Sequence, residues 1–452
     1  MEKRDLFSWI SSHKPEFSEI AGKIWAHPEL ALKETYASGL QKEYLRNAGF
    51  RIHEVEGLPT AFVAEFGSGR PVIGLLGEYD ALPGLSQQAV PFKAPVEGQT
   101  YGHGCGHNLL GTGCLAAAAA IKQLLSENSL SGTVRYYGCP AEEDFGGKIM
   151  MLDRGCFEGT DLCLTWHPES VNKIAGDMLT SVSNFHIRFM GETSYFATER
   201  LLCGNALHAA ELLSVGVQYL NSQIQGKAKV EFFLSEGAKA VNLLPERTTV
   251  TFDVRGDDDD AVERVREAIF RVALGAAQMS GTRTEREEVF HYKTLRQDPL
   301  LADLLFDNMC SLGGAGFTEE ELDFAAAAGE SLESRFTLGT KEFYGITKED
   351  MTGVMHRGAV KAPRVFFKPS SDVGNVSRQV PTAMFFAAAG PVGMPMHSWQ
   401  AAALCGSAAG MRTMEYAAKV LAGTVYDLLS EPELYRVCKA GFRKETHDEP
   451  EC

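Results

Sequence analysis

An α/β fold interrupted by an inserted α+β domain is predicted for this chain of 452 residues. Three observations carry the prediction. Short apolar runs such as Pro71-Val-Ile-Gly-Leu-Leu76 alternate with helical segments before residue 180 and after residue 293, the texture of a mixed, mainly parallel sheet buried on both faces. Residues 181–292 read instead as strand, helix, strand, strand, helix, strand, the ferredoxin-like split βαβ order. The length also exceeds what a single core fills. The expected division is a discontinuous domain of residues 1–180 and 293–452 with residues 181–292 inserted.

Each element has a local reason. In residues 5–48, Trp9, Ile10, Phe17, Ile20, Ile24 and Trp25 recur at helical steps. Residues 63–66 and 71–76 read as strands, residues 109–125 as an Ala-rich helix, and residues 133–138 and 161–166 as further strands. In the insertion, residues 184–190 alternate as a strand and residues 205–224 form an amphipathic helix. Residues 230–234 and 248–254 are strands, residues 261–278 a helix and residues 282–290 a strand. The acidic run Asp257–Asp260 suits a solvated turn at a helix start. Beyond the insertion, residues 364–367 and 382–389 read as strands and residues 401–428 as helical.

The chemistry concentrates where strands end. Cys105 and His107 sit two residues apart between glycines, in Gly102-His103-Gly104-Cys105-Gly106-His107-Asn108. Little side-chain bulk surrounds them, so a thiolate and an imidazole are available to one ion; the alternative is a buried thiol and a capping histidine. Asp80, the pair Glu142-Glu143, and His167 each follow a strand, and His397 lies in Pro395-Met396-His397-Ser398-Trp399. Ligands of open α/β sheets gather beyond the carboxyl ends of strands, and imidazole, thiolate and carboxylate are the usual ligands of catalytic zinc or manganese. Cys105, His107, Glu143, His167 and His397 make five ligands, enough for two ions sharing a bridging group. One carboxylate of an acidic pair can bind metal while its neighbour takes a proton from water. Asp80 reads either as the carboxylate that fixes a ligand histidine's tautomer or as a turn residue. Asp372 reads as a turn cap or a pocket residue, and His103 as a loop histidine beside the site. A metal-dependent hydrolase is the expectation.

Composition narrows the partners. A formal charge of −16 disfavours nucleic acid and anionic membrane surfaces. Ten cysteines in so long a chain are too sparse for a disulfide framework. The N-terminus lacks an apolar signal core, and no uncharged apolar stretch reaches the ~20 residues needed to span a bilayer. A reducing, cytoplasmic location is expected, with a small molecule as substrate.

Taken together, Gly77-Glu-Tyr-Asp80-Ala-Leu-Pro-Gly84, the Gly102–Asn108 motif, Cys139-Pro-Ala-Glu142-Glu143, Thr165-Trp-His167-Pro168, Ser371-Asp372-Val-Gly374 and Met396-His397-Ser-Trp-Gln400 resemble the dinuclear metallo-aminoacylase and carboxypeptidase family. Within it, the sequence looks most like the branch of amidohydrolases acting on aroyl-glutamates and auxin conjugates. The resemblance implies a metal-binding catalytic domain and an inserted lid that also dimerises, giving a homodimer or larger homo-oligomer. It implies two divalent ions (zinc or manganese, with cobalt or nickel as further options) held by Cys105, His107, Glu143, His167 and His397. Glu142 would be general base and acid, and Asn242 and Arg255 fall where the lid usually meets substrate. One departure stands out: Gly191-Glu-Thr-Ser-Tyr195-Phe-Ala197 carries Tyr195 where the family has a lid histidine that stabilises the oxyanion. Losing such a donor commonly costs on the order of 10²–10³ in turnover. Two chemistries are therefore expected: amide hydrolysis with Tyr195 as the donor, or hydrolysis of a non-peptide C–N bond. A non-catalytic binding protein is disfavoured, because a scaffold has no need for a general base beside its ions.

Overall fold

A computed structural model describes residues 1–128, 130–191, 194–195, 204–224, 226, 228–240 and 243–447. It divides into two compact units, one of Met1–Met178, Arg296–Phe367 and Val376–Cys452, the other of Leu179–Leu295 and Lys368–Asn375. In chain order the longer strands are β1 (Arg51–Glu54), β2 (Phe62–Ser68), β3 (Val72–Glu78), β4 (Gly132–Cys139), β5 (Leu162–Glu169), β6 (Lys173–Asp177), β7 (Ser181–Met190), β8 (Ala228–Glu236), β9 (Arg247–Gly256), β10 (Arg283–Tyr292), β11 (Val360–Arg364) and β12 (Thr382–Ala388).

The first unit is built on an eight-stranded sheet of order β1-β2-β4-β3-β5-β12-β6-β11. Its centre is parallel (β4 with β3, β3 with β5, β5 with β12), while β1 and β2 join antiparallel at one side. Every residue of β3 and of β12 is buried, as continuous apolar runs in a doubly covered sheet require. Helix α1 (Lys3–Ala26) and the Ala-rich α2 (His107–Asn128) pack together, and α2 also lies on β3. By length and composition α2 is apolar enough to cross a membrane, but 83% of its apolar window is buried inside the protein. It is a core helix. Its contact with β3 is close at Gly111, where an added Cβ would stand 2.3 Å from the Glu78 carbonyl oxygen.

The second unit has an antiparallel sheet of order β8-β9-β7-β10 with helices Ala206–Asn221 and Asp259–Ser280. Its core is formed by Phe185, Ile187, Phe189, Val250, Phe252 and the inner faces of both helices. The chain order β-α-β-β-α-β follows directly. Sequence periodicity alone gives no reason for residues 368–375 to join this unit; they do so through pairings such as Thr180 N–H to the Pro369 carbonyl.

Several boundaries differ from the sequence reading. Residues 5–48 are two helices, Lys3–Ala26 and Thr35–Asn47. Between them Leu32 adopts φ 63° and donates its N–H to Glu34 Oε1. The strand expected at residues 364–367 ends at Arg364. The helix expected over residues 401–428 is two, Trp399–Cys405 and Ala408–Ser430, because Ser407 caps the second by accepting the Gly410 N–H.

Candidate metal centre

The loop before α2 carries two donors. Cys105 is buried in the turn, Gly106 takes φ 76°, and His107 opens the helix. His107 is held from one side by Asp80, just past the end of β3: its Nδ1 lies 2.8 Å from Asp80 Oδ1. The other oxygen of Asp80 accepts the Glu143 backbone N–H at 2.9 Å. One carboxylate thus orients an imidazole and anchors the acidic pair. His107 Nε2 is left facing inward, 3.3 Å from Glu78 Oε2 and 3.8 Å from Glu143 Oε1.

Glu142 and Glu143 follow β4 through a strained turn. Ala141 takes φ 56°, a left-handed conformation rare outside glycine, and its N–H donates to Glu34 Oε1 at 2.8 Å. Glu34 is fully buried, and burial with the nearby Asp80 charge pushes its carboxyl up to about 7. His167, near the end of β5, has Nδ1 2.7 Å from the Pro168 carbonyl and Nε2 3.3 Å from Cys105 Sγ. His397 is also left-handed, φ 57°, and its N–H donates to the Gly104 carbonyl. Its Nε2 stands 3.3 Å from Cys105 Sγ and 3.4 Å from Glu143 Oε1.

Two donor triads result, Cys105/His107/His167 and Cys105/Glu143/His397, each with all its donor atoms within 4.8 Å of one another. They share the Cys105 sulfur. In a tetrahedral zinc-type centre, sulfur and nitrogen ligands of one ion stand about 3.5 Å apart, close to the two 3.3 Å contacts of Cys105. His107 Nε2 and Glu143 Oε1 are buried with no hydrogen-bond partner. Native proteins avoid such orphaned groups, and a divalent cation would satisfy both. Burial and the Glu143 charge push the Cys105 thiol well above its usual range, while burial and His107 push His167 down to about 4. The residues fit a pair of divalent ions.

Glu142 belongs to the same cluster: one of its oxygens groups with donors of Glu78 and His107, and it is buried. His103 is buried too; its Nε2 faces the Ile24 carbonyl, and burial holds it down to about 3. Three sequence candidates belong to the second unit. Arg255 on β9 pairs with Asp253, Nε to Oδ1 2.7 Å. Asp372 is fully buried within residues 368–375. Tyr195 lies in a two-residue strand paired with Leu243. Asn242 lies outside the described residues.

Sequence reasoning missed Glu78, Lys148 and Glu34. Lys148 Nζ stands 2.5 Å from Glu78 Oε1, and both side chains are buried. Burial works to raise the Glu78 carboxyl, but the charges of Lys148 and His107 outweigh it and hold it low. Strand alternation was the available signal for Glu78, since residues 78 and 80 project to one side at the end of β3. Nothing local marks Lys148.

Residues 74–426 match Peptidase family M20/M25/M40. The chain is 32% identical to one of the subunits of the p-aminobenzoyl-glutamate hydrolase of Escherichia coli, over 98% of its own length and 95% of that protein. It is 30% identical to hippurate hydrolase of Campylobacter jejuni over 61% of its length and 73% of that protein. An aminobenzoyl-glutamate utilization protein from Klebsiella pneumoniae shares the fold, with TM-score 0.64, 16% identity and coverage of 93% and 98% of the two chains. The fold is that of metal-dependent hydrolases of C–N bonds, and the donor cluster suits that chemistry. This chain belongs to Peptidase family M20/M25/M40.

Proposed function

We propose that the chain hydrolyses N-aroyl or N-acyl amino acids using two divalent ions, one held by Cys105, His107 and His167 and the other by Cys105, Glu143 and His397. The observation that carries this reading is the pair of donor triads meeting at one sulfur beside a further buried carboxylate, Glu142. When bound, the ions supply Lewis acidity to the amide carbonyl and to water. Glu142 takes the proton from water and returns it to the leaving nitrogen. Asp80 keeps the His107 ring oriented and its Nδ1 proton in place. His397, with its side chain 52% exposed, leaves the second triad accessible from solvent. Mixed sulfur, nitrogen and oxygen donors suit zinc or manganese, with cobalt or nickel also compatible.

The names of the relatives, an aminobenzoyl-glutamate hydrolase and a hippurate hydrolase, favour an aroyl group on a carboxylate-bearing amino acid. Tyr195 serves as oxyanion donor, and Asn242, Arg255 and Asp372 contact substrate. The second unit acts as lid and dimerisation element. Its sheet ends on β8, where Phe233 and Leu234 are exposed. The described cysteines are free, in keeping with a reducing cytoplasm. Tyr195 in place of the family's histidine is the one feature favouring a second reading, hydrolysis of a non-peptide C–N bond.

The test is metal analysis with turnover of p-aminobenzoyl-glutamate and hippurate before and after chelation, in the native chain and Glu142→Gln. About two ions per chain and chelator-sensitive cleavage are expected, with Glu142→Gln keeping its metal and losing roughly 10²–10⁴ in turnover. Two ions without amide cleavage favour the second reading. Absence of metal after supplementation overturns both.

A further inference from the structure

Residues 84–100 connect the paired segments Leu82–Pro83 and Tyr101–Gly102 without regular secondary structure of their own. Loops of that length inside a compact domain are uncommon and usually functional. This one is pinned from within. The Gln87 side chain is buried, donating its amide N–H groups to the carbonyls of Gln88 and Phe92 while its Oε1 accepts the Ala94 N–H. Ser86 Oγ accepts the Val96 N–H at 3.0 Å.

The loop also rests on the metal-binding turn. A Cβ on Gly102 would stand 1.9 Å from the Leu85 carbonyl oxygen, and one on Gly104 would stand 2.4 Å from Leu85 Cδ1. The two glycines beside His103 and Cys105 therefore admit the loop. Between it and the turn bearing His397 lies a cavity of about 400 Å³, lined by Leu85, Lys93, Pro95, Gln99, His397 and Trp399 among others. One wall is thus a donor of the second triad. Another is an ammonium that pairs with no carboxylate among the described residues.

We infer that this cavity is a specificity subsite and that Lys93 receives a second carboxylate of the substrate, such as the side chain of an N-acyl glutamate. The inference rests on the amidohydrolase reading above and adds to it which residue selects the substrate. A chain of formal charge −16 repels a dianion at long range, so an unpaired cation beside the centre is what such a substrate requires. Pro95 and Trp399 offer apolar surface for the chain that carries the carboxylate. The stapled loop holds Lys93 near its working position, which reduces the ordering cost of binding.

The experiment compares benzoyl-glutamate, benzoyl-glutamine and benzoyl-glycine as substrates of the metal-loaded native chain, Lys93→Met and Lys93→Glu. The native enzyme is expected to prefer glutamate over glutamine by about tenfold in kcat/KM, the worth of one charge-assisted hydrogen bond. Lys93→Met brings that ratio to within about twofold, through KM, and leaves turnover of benzoyl-glycine unchanged. Lys93→Glu inverts the ratio. A glutamate preference that survives in Lys93→Met, or is missing from the native enzyme, overturns the inference while leaving amide hydrolysis standing. Failure of all three substrates overturns the functional reading instead. In that case calorimetric binding of benzoyl-glutamate and benzoyl-glutamine to the same proteins decides, and equal affinities in the native chain and Lys93→Met overturn the subsite. Lys93 is exposed, so thermal melting of the variants is expected to match the native chain.

Discussion

Lys148 and Glu78 form a fully desolvated ion pair in the wall of the centre, with Glu78 Oε2 only 3.3 Å from His107 Nε2. Forming such a pair stabilises little over an apolar replacement, but breaking it strands a charge where water cannot reach. Lys148→Met is therefore expected to lose about 3–5 kcal/mol of stability in the metal-free protein, read from denaturant unfolding. The double variant Lys148→Met/Glu78→Gln recovers most of that loss. Equal stability of the single variant and the native chain would show that Glu78 is already protonated or otherwise neutralised. His397 and Ala141 show how local strain serves the site. Both hold positive φ without being glycine, at about 1–3 kcal/mol each, and both conformations are fixed by hydrogen bonds to distant elements, Gly104 and Glu34.

Among the elements, α2 decides most. It begins on His107, so its placement positions that imidazole within the donor cluster, and its buried face of small residues lets it approach β3 closely. Gly111→Ala would ordinarily favour a helix by about 1 kcal/mol. Here the added Cβ meets backbone, the Glu78 carbonyl oxygen at 2.3 Å, and also the Gln41 side chain at 2.9 Å. Overlap with a central strand cannot be relieved by a rotamer change, so the sign reverses. Gly111→Ala is expected to lower stability by roughly 1–3 kcal/mol, and metal affinity with it, because α2 begins on His107 and β3 leads directly into Asp80. Melting temperature and competitive metal titration check both effects. Stabilisation would mean that helix propensity outweighs the contact.

Over the whole molecule, acid sensitivity follows from buried histidines outside the metal centre. His356 is buried in the first unit, where its Nδ1 accepts the Asn172 N–H at 3.1 Å, and burial pushes it down to about 4. Its folded value lies below the unfolded value of about 6.5. The neutral ring's contribution is therefore complete above pH 6.5 and is lost as pH falls toward 4, with an upper size on the order of 3 kcal/mol. The native chain is expected to lose stability across that window, and His356→Gln to lose less across it. Unfolding free energies at several pH values between 4 and 7 measure this; parallel curves for the two proteins would exclude His356 as a source.

The α/β class, the β-α-β-β-α-β order of residues 181–292 and the places of Asp80, Glu142 and Glu143 just beyond strand ends were legible in the sequence by itself. These follow from local facts: apolar periodicity, turn residues, and the alternation of strands with helices. His167, expected to follow a strand, instead sits inside β5, which runs on to Glu169. Cys105 and His107 were legible because two donors between glycines have few uses apart from a metal. The tertiary structure decided what depends on distant pairing. Only folding sets Cys105 between His167 and His397, 62 and 292 residues away, and so makes its sulfur common to two triads. Only folding buries Lys148 against Glu78 and Glu34 against Ala141, and sends residues 368–375 to the second unit. The breaks between Ala26 and Thr35 and between Cys405 and Ala408 also escaped the periodic pattern: Leu32 turns left-handed within the first, and Ser407 caps the helix that follows the second. Desolvation is the common reason: it acts on groups brought together from distant parts of the chain, and periodicity reports only which side of a segment is buried.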